Sequence, residues 1–240
     1  MVLQSNYIPW LGYFALMATA DVLVILDSAK YTKNDWRNRN ILRGANGSFW
    51  LTVPIDRRST NARIYDATIS DTRWANKHLV SIRESLAGQK HSNRITELLA
   101  SEYLSFADEC LLHNVNMRLI RAICRLTSIS TPILLDTQVT TPELLSPGID
   151  PTLRLITICK ELNATSYLTG SKAMGYLDLE QFRNSSIAVE MADYSTLPVY
   201  RQKYEGFEPR VSVLDYLAAV GLDQATEYLN SSQLPSIAVT

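Results

Sequence analysis

Aromatic and amide side chains crowd the start of this chain. In "QSNYIPWLGYF", residues 4–14, Tyr7, Trp10, Tyr13 and Phe14 stand beside Gln4 and Asn6. Amides offer donors and acceptors, and aromatic rings offer flat faces to a sugar ring or a base. The competing reading is a packed helix entry, with Trp10 and Phe14 on the core face. A second stretch, "DSAKYTKNDWRNRNILRG" (27–44), opens on Asp27 and carries Lys30, Lys33, Arg37, Arg39 and Arg43. Asn34, Asn38 and Asn40 are interleaved, with Trp36 inside. Forked guanidiniums beside amides suit a phosphate or a carboxylate. A solvated charged face is the bland alternative. The formal net charge of −1 and the shortness of the run favour an anionic small molecule over nucleic acid.

A third stretch, "LTGSKAMGYLD" (168–178), runs from a strand into a glycine-containing turn at Gly170 and Ser171, with Tyr176 beyond it. Backbone N–H groups at such a turn can cradle an anion. The stretch is neither a Walker A loop nor Gly-x-Gly-x-x-Gly. The histidines His78, His91 and His113 show no metal-ligand spacing, and no motif demands a metal or another cofactor. His78 shares a helix face with Trp74 and is the general acid/base candidate; the alternative is a packed histidine. Cys159, inside the apolar "LITICKEL", reads as a buried structural thiol rather than a nucleophile.

These residues need a frame to hold them. "MVLQS" reads as a short strand, residues 10–20 as a buried helix and "DVLVILD" (21–27) as a buried strand, a β-α-β opening. Residues 48–55 and 62–70 read as two strands around the polar turn "DRRSTN". Helices follow over 71–86, 93–104 and 106–126, then the strand "TPILLD" (131–136) and the loop "TTPELLSPG" (140–148). Asp150–Pro151 starts a further helix. Residues 166–170, 171–182 and 187–191 repeat a β-α-β rhythm, and 211–221 closes as a helix capped by Gly221. The expected architecture is α/β, with a mainly parallel open sheet, flanking helices and a helical insertion or cap around 71–126. A single domain over 1–240 is expected for this length. In such sheets, ligands bind at the carboxyl ends of strands. This predicts one cleft formed by residues 4–10, 30–40 and 169–176.

Composition narrows the class. Apolar residues make up 46% and charged residues 20%, ordinary for a globular chain. No apolar run reaches bilayer-spanning length, and no signal peptide is evident. The odd cysteine set Cys110, Cys124 and Cys159 fits reduced thiols in the cytoplasm.

"QSNYIPWLGYF", "DWRNRN", "WLTVPI" and "WANKHL", with "YLTGSKAMGYLD" and the late F-x-P-x-V-S-V-L-D-Y-L pattern, resemble the WbqC-like protein family in order and spacing. The resemblance covers roughly residues 3–221. Members often begin with His-Gln-Pro or Met-Gln-Ser/Pro; here Leu3-Gln4-Ser5 stands in that place, so no histidine there can be an obligatory base. His78 is the histidine inside the resemblance motifs. The opening also looks like that of nucleotidylyltransferase-type α/β folds, but Pro9-Trp10-Leu11-Gly12 replaces their His-x-Gly-His turn. This argues against the usual nucleotidyl transfer. The family resemblance implies a cytoplasmic bacterial protein of O-antigen or other surface-polysaccharide pathways.

The expected activity is acyl or aminoacyl transfer to an amino sugar or similar amine. His78 would be the base, and amides of Gln4, Asn34 or Asn38 would face the oxyanion. Lys33, Arg37 and Arg39 would hold a nucleotide sugar or a carrier-bound acyl group, with an acyl carrier protein as a candidate partner. A sugar-nucleotide lyase, a glycosyltransferase and a non-catalytic ligand-binding subunit are the alternatives.

Overall fold

A computed structural model describes residues 1–71, 73–141, 143–144, 148–231 and 234–239. Its first unit is the anticipated β-α-β opening: β1 (Val2–Leu3), α1 (Leu11–Thr19) and β2 (Leu23–Ile25). With β5 (Ile133–Leu135) these strands form a parallel sheet ordered β1-β2-β5, in the register Val2↔Val24 and Val24↔Leu134. The central strand β2 is buried throughout. Strand alternation sends Leu23 and Ile25 into one apolar cluster and Val24 into another. Both faces of the sheet are therefore covered, as a parallel sheet requires.

The larger core takes α1 and the helices α2 (Trp74–Leu86), α3 (Ser92–Leu104) and α4 (Leu112–Leu126), which fill the anticipated 71–126 region. It also takes α8 (Val213–Val220) and α9 (Leu222–Ser231). The smaller core lies between β1–β2 and α6 (Pro151–Glu161), β6 (Ser166–Thr169), α7 (Leu179–Asn184) and β7 (Ala188–Ala192). A four-residue helix, α5 (Asp136–Val139), leaves the end of β5 directly. β6 and β7 pair in parallel, and β8 (Ser236–Ala238) adds an antiparallel edge to β7.

Three details depart from the sequence reading. Residues 39–44, read only as part of a charged stretch, form β3 (Arg39–Gly44), paired antiparallel with β4 (Gly47–Thr52). The expected strand over 62–70 is instead a 3₁₀ turn, Ile64–Asp66, with isolated bridges such as Ile55↔Ile69. The buried Ile64 and Ala67 are three residues apart, a spacing that suits a tight helical turn and not an alternating strand. The expected helix over 171–182 is split. A 3₁₀ turn, Ser171–Gly175, precedes α7, whose start is fixed by the Asp178 carboxylate accepting from the Glu180 and Gln181 N–H groups. The Asp150 cap on α6 accepts from the Leu153 N–H, and Gly221 ends α8 at a φ of +89°. Pro142 and residues 145–147 of the expected loop lie outside the described residues.

Candidate functional site

Two of the parallel strands run out into carboxylates. β2 leads to Asp27 and β5 to Asp136, both fully buried. Asp27 accepts from the Ser5 N–H at 2.8 Å and the Ser5 hydroxyl at 2.6 Å, from the loop that leaves β1. The other Asp27 partner comes from the first turn of α4, where His113 Nδ1 donates to Oδ2 at 2.6 Å. Asn116, three residues on and so on the same helix face, donates to the Ser5 hydroxyl at 3.1 Å and the Arg37 carbonyl at 2.9 Å. Asp136 accepts from the Ser28 N–H at 3.0 Å and the Tyr65 hydroxyl at 2.8 Å. The Tyr65 ring packs on the His113 ring at 4.4 Å.

This geometry sets the tautomer of a neutral imidazole. A proton on Nδ1 is committed to Asp27, which leaves the Nε2 lone pair as the free end of the ring. Nε2 has no hydrogen-bond partner among the described residues, and the side chain keeps 11% of its surface exposed. The arrangement is a carboxylate–histidine pair, anchored from both strand loops and open at one nitrogen.

Beside it lies a half-buried cation. The Arg37 guanidinium donates to Asn6 Oδ1 at 3.3 Å, and its nearest carboxylate, Asp35, is 3.7 Å away. Desolvation lowers its pKa, while the charges of Asp35 and Asp27 oppose the shift. Partial desolvation of the hydroxyl raises the Tyr176 pKa although most of the ring is in solvent, and the Arg37 charge opposes that rise. Tyr13 donates to the Gln4 carbonyl at 3.5 Å, and Gln4 Oε1 is buried without a partner.

Gln4, Asn6, Tyr13, Asp27, Arg37 and Tyr176 thus surround the strand ends. The other residues singled out from sequence are placed elsewhere. Trp10 packs on Tyr194 at 5.1 Å, and a side chain at Gly170 would meet the Tyr194 hydroxyl at 3.0 Å. Ser171, Lys33 and Asn34 are exposed, Asn34 at a φ of +58°. Asn38 is buried and gives its amide to the Val53 carbonyl at 2.9 Å. Trp36 and Arg39 pack on Trp50, at 5.1 and 3.9 Å. Cys159 lies in the smaller core, its thiol pKa pushed up by burial.

His78 lies in the larger core with both nitrogens engaged. Nε2 donates to the Thr52 carbonyl at 3.1 Å, so Nδ1 accepts from the Tyr7 hydroxyl at 2.8 Å. Tyr103 completes the chain at 2.6 Å from the Tyr7 oxygen. Desolvation lowers the His78 pKa to about 4, with the Thr52 carbonyl opposing. Neither nitrogen is left to take a proton from a ligand. Sequence reasoning missed His113, Asn116, Tyr65 and Asp136. One signal was available: the apolar runs "DVLVILD" and "TPILLD" both end in Asp, where a parallel sheet presents its ligand edge.

Fold and site together define an α/β protein with a histidine–carboxylate pair at the carboxyl edge of a parallel sheet. The WbqC-like protein family model matches residues 4–227, and the chain belongs to that family. It is 38% identical over 229 residues to a Mycobacterium tuberculosis protein named Uncharacterized protein Rv1507c, covering 95% of this chain and 96% of that one. No solved structure matches. No helix among the described residues is long and apolar enough to cross a membrane, and no cluster of three or more His, Cys, Asp or Glu among them could hold a metal ion.

Proposed function

We propose that this protein is a general-base transferase that moves an acyl or aminoacyl group onto the amine of a small molecule such as an amino sugar. The observation that carries the reading is the 2.6 Å His113–Asp27 contact, with Nε2 left open. As the amine adds to the donor's acyl carbon, His113 Nε2 takes its proton; the tetrahedral intermediate then collapses, the bond between the acyl carbon and the donor's leaving group breaks, and that group departs with the proton returned by His113. Asp27 holds the imidazole in the Nδ1–H tautomer and stabilises the imidazolium that forms. Ser5, fully buried, gives its hydroxyl and its N–H to Asp27. Its role is to hold the carboxylate, not to attack.

Asn6 accepts from Arg37 through Oδ1, which leaves its NH₂ free to meet an oxyanion together with the Gln4 amide. Arg37 holds the anionic handle of the donor. The Arg37 guanidinium is half-buried, its nearest carboxylate is 3.7 Å away and its Nε is without a hydrogen-bond partner, so it has donors left for an anion. The acid–base role thereby moves from His78 to His113. The link to surface-polysaccharide biosynthesis and the cytoplasm is the one implied by the family resemblance, and it supplies the choice of an amino sugar.

The test is a reconstitution with nucleotide-linked amino sugars and acyl or aminoacyl donors, read by product mass. His113→Asn is expected to lower turnover by about a hundredfold or more, with His78→Asn folded and active. Product formation that survives His113→Asn but is lost in a folded His78→Asn protein would reverse the assignment.

A further inference from the structure

One hydrogen bond does not by itself fix the plane of an imidazole. The 2.6 Å contact between His113 Nδ1 and Asp27 holds one point of the ring. The last torsion of a histidine side chain is broad, so the aim of Nε2 needs a second restraint. Tyr65 stands where that restraint acts. Its ring centre lies 4.4 Å from the His113 ring centre, with the two planes tilted by 56°.

Tyr65 is itself tied at both ends. Its N–H donates to the Asp27 carbonyl at 3.1 Å, so its backbone is bound to the residue that binds His113. Its hydroxyl donates to Asp136 Oδ1 at 2.8 Å. Burial and that hydrogen bond raise the Tyr65 pKa well above the ordinary phenol value, which keeps the hydroxyl a donor. Asp136 is fully buried, and its other hydrogen-bond partners among the described residues are the N–H groups of Ser28, at 3.0 Å, and Thr137, at 2.9 Å. A buried carboxylate held by neutral donors is costly, and the proton transfer at His113 makes no direct use of it. The turn around Tyr65 also reaches the start of α4. The Leu112 N–H, next to His113, donates to the Ala67 carbonyl at 2.9 Å, and the Ile69 N–H to the Cys110 carbonyl at 2.8 Å. One short segment thus ties the end of β2 to the first turn of α4.

We propose that Tyr65 is a positioning residue for His113: its ring sets the plane of the imidazole, and Asp136 anchors that ring by its hydroxyl. This rests on the reading of His113 as the base.

The free protein tests the contact without any substrate. Cross-relaxation between the Tyr65 and His113 ring protons is expected in its NMR spectrum, and its absence overturns the proposal. Tyr65→Leu should shift the His113 ring-proton resonances, which lose the ring current of the phenol, whereas Tyr65→Phe should keep most of their displacement. Unmoved resonances in a folded Tyr65→Leu protein overturn it too. In the reconstituted transfer, Tyr65→Leu should lower turnover about tenfold or more, the scale of a misplaced catalytic group, and Tyr65→Phe should lose less. In the His113→Asn background, Tyr65→Leu should change nothing further, because it acts through that ring. A further loss there would mark a merely structural role and overturn the proposal. Full turnover in Tyr65→Leu beside an inactive His113→Asn removes the positioning role alone. Full turnover in His113→Asn removes the base, and this role with it.

Discussion

The buried His78 makes a quantitative claim about acid stability. Its ordinary pKa near 6.5 applies in the unfolded chain, whereas burial brings it to about 4 in the fold. Above pH 6.5 the ring is neutral in both states, and its contribution to stability is fully present. Between pH 6.5 and 4 the unfolded state binds a proton that the folded state refuses, so stability falls as pH falls. The shift of about 2.5 units, at 1.36 kcal/mol per unit, amounts to about 3 kcal/mol lost by pH 4. Carboxylates titrate in the same range, and a difference measurement against His78→Asn removes their share. The variant retains an acceptor for the Tyr7 hydroxyl and loses the bond to the Thr52 carbonyl. At pH 7.5 that loss, with some packing against Trp74, costs about 2 kcal/mol. Wild type should therefore be the more stable protein at neutral pH, and the two should cross at about pH 5.

Urea unfolding at half-unit steps from pH 8 to 4.5, followed by circular dichroism, measures both curves. Parallel curves across that interval would refute the reasoning, since they would mean that the ring titrates alike in both states. A titration midpoint near 6.5 for the His78 ring protons in the folded protein would do the same. The outcome also bears on catalysis, because a ring that stays neutral through both its hydrogen bonds has no site for a substrate proton.

Asp27→Asn should release the His113 tautomer, visible as a change in the imidazole ¹⁵N shifts of the folded protein; unchanged shifts would remove Asp27 from its orienting role. Asn40 donates to the Tyr7 and Ile8 carbonyls at 3.0 and 2.7 Å and steadies Ile8 at a φ of +34°. Asn40→Ala should therefore cost about 2 kcal/mol or more in chemical unfolding, and a loss below ~0.5 kcal/mol would show that the turn holds itself. Gly221→Ala places a Cβ 2.9 Å from the His91 ring at a φ of +89°, so its melting temperature should fall by several degrees for about 1–2 kcal/mol of strain. An unchanged melting point would contradict that turn's strain.

Much of the frame was legible because local patterns and tertiary packing agree in it. The run "DVLVILD" is apolar because β2 is covered on both faces, and Asp150–Pro151 carries its own helix-start chemistry. Residues 62–70 misled because their apolar positions serve a 3₁₀ turn against the core, a spacing that a short window does not separate from alternation. The site was harder to read for a related reason. His78 and His113 both stand on helices near apolar neighbours, and neither local stretch shows which partners its imidazole meets. What separates them is where the helix points. α2 lays His78 against the Thr52 carbonyl and the Tyr7 hydroxyl, partners that saturate it. α4 delivers His113 by its first turn to the strand end where Asp27 emerges, 86 residues earlier in the chain. One nitrogen is bound there and the other is not. The candidate base is thus decided by long-range pairing between a helix start and a sheet edge. The same pairing explains why Ser5 and Asn116 belong to the site although neither is exposed: they hold the carboxylate that holds the ring.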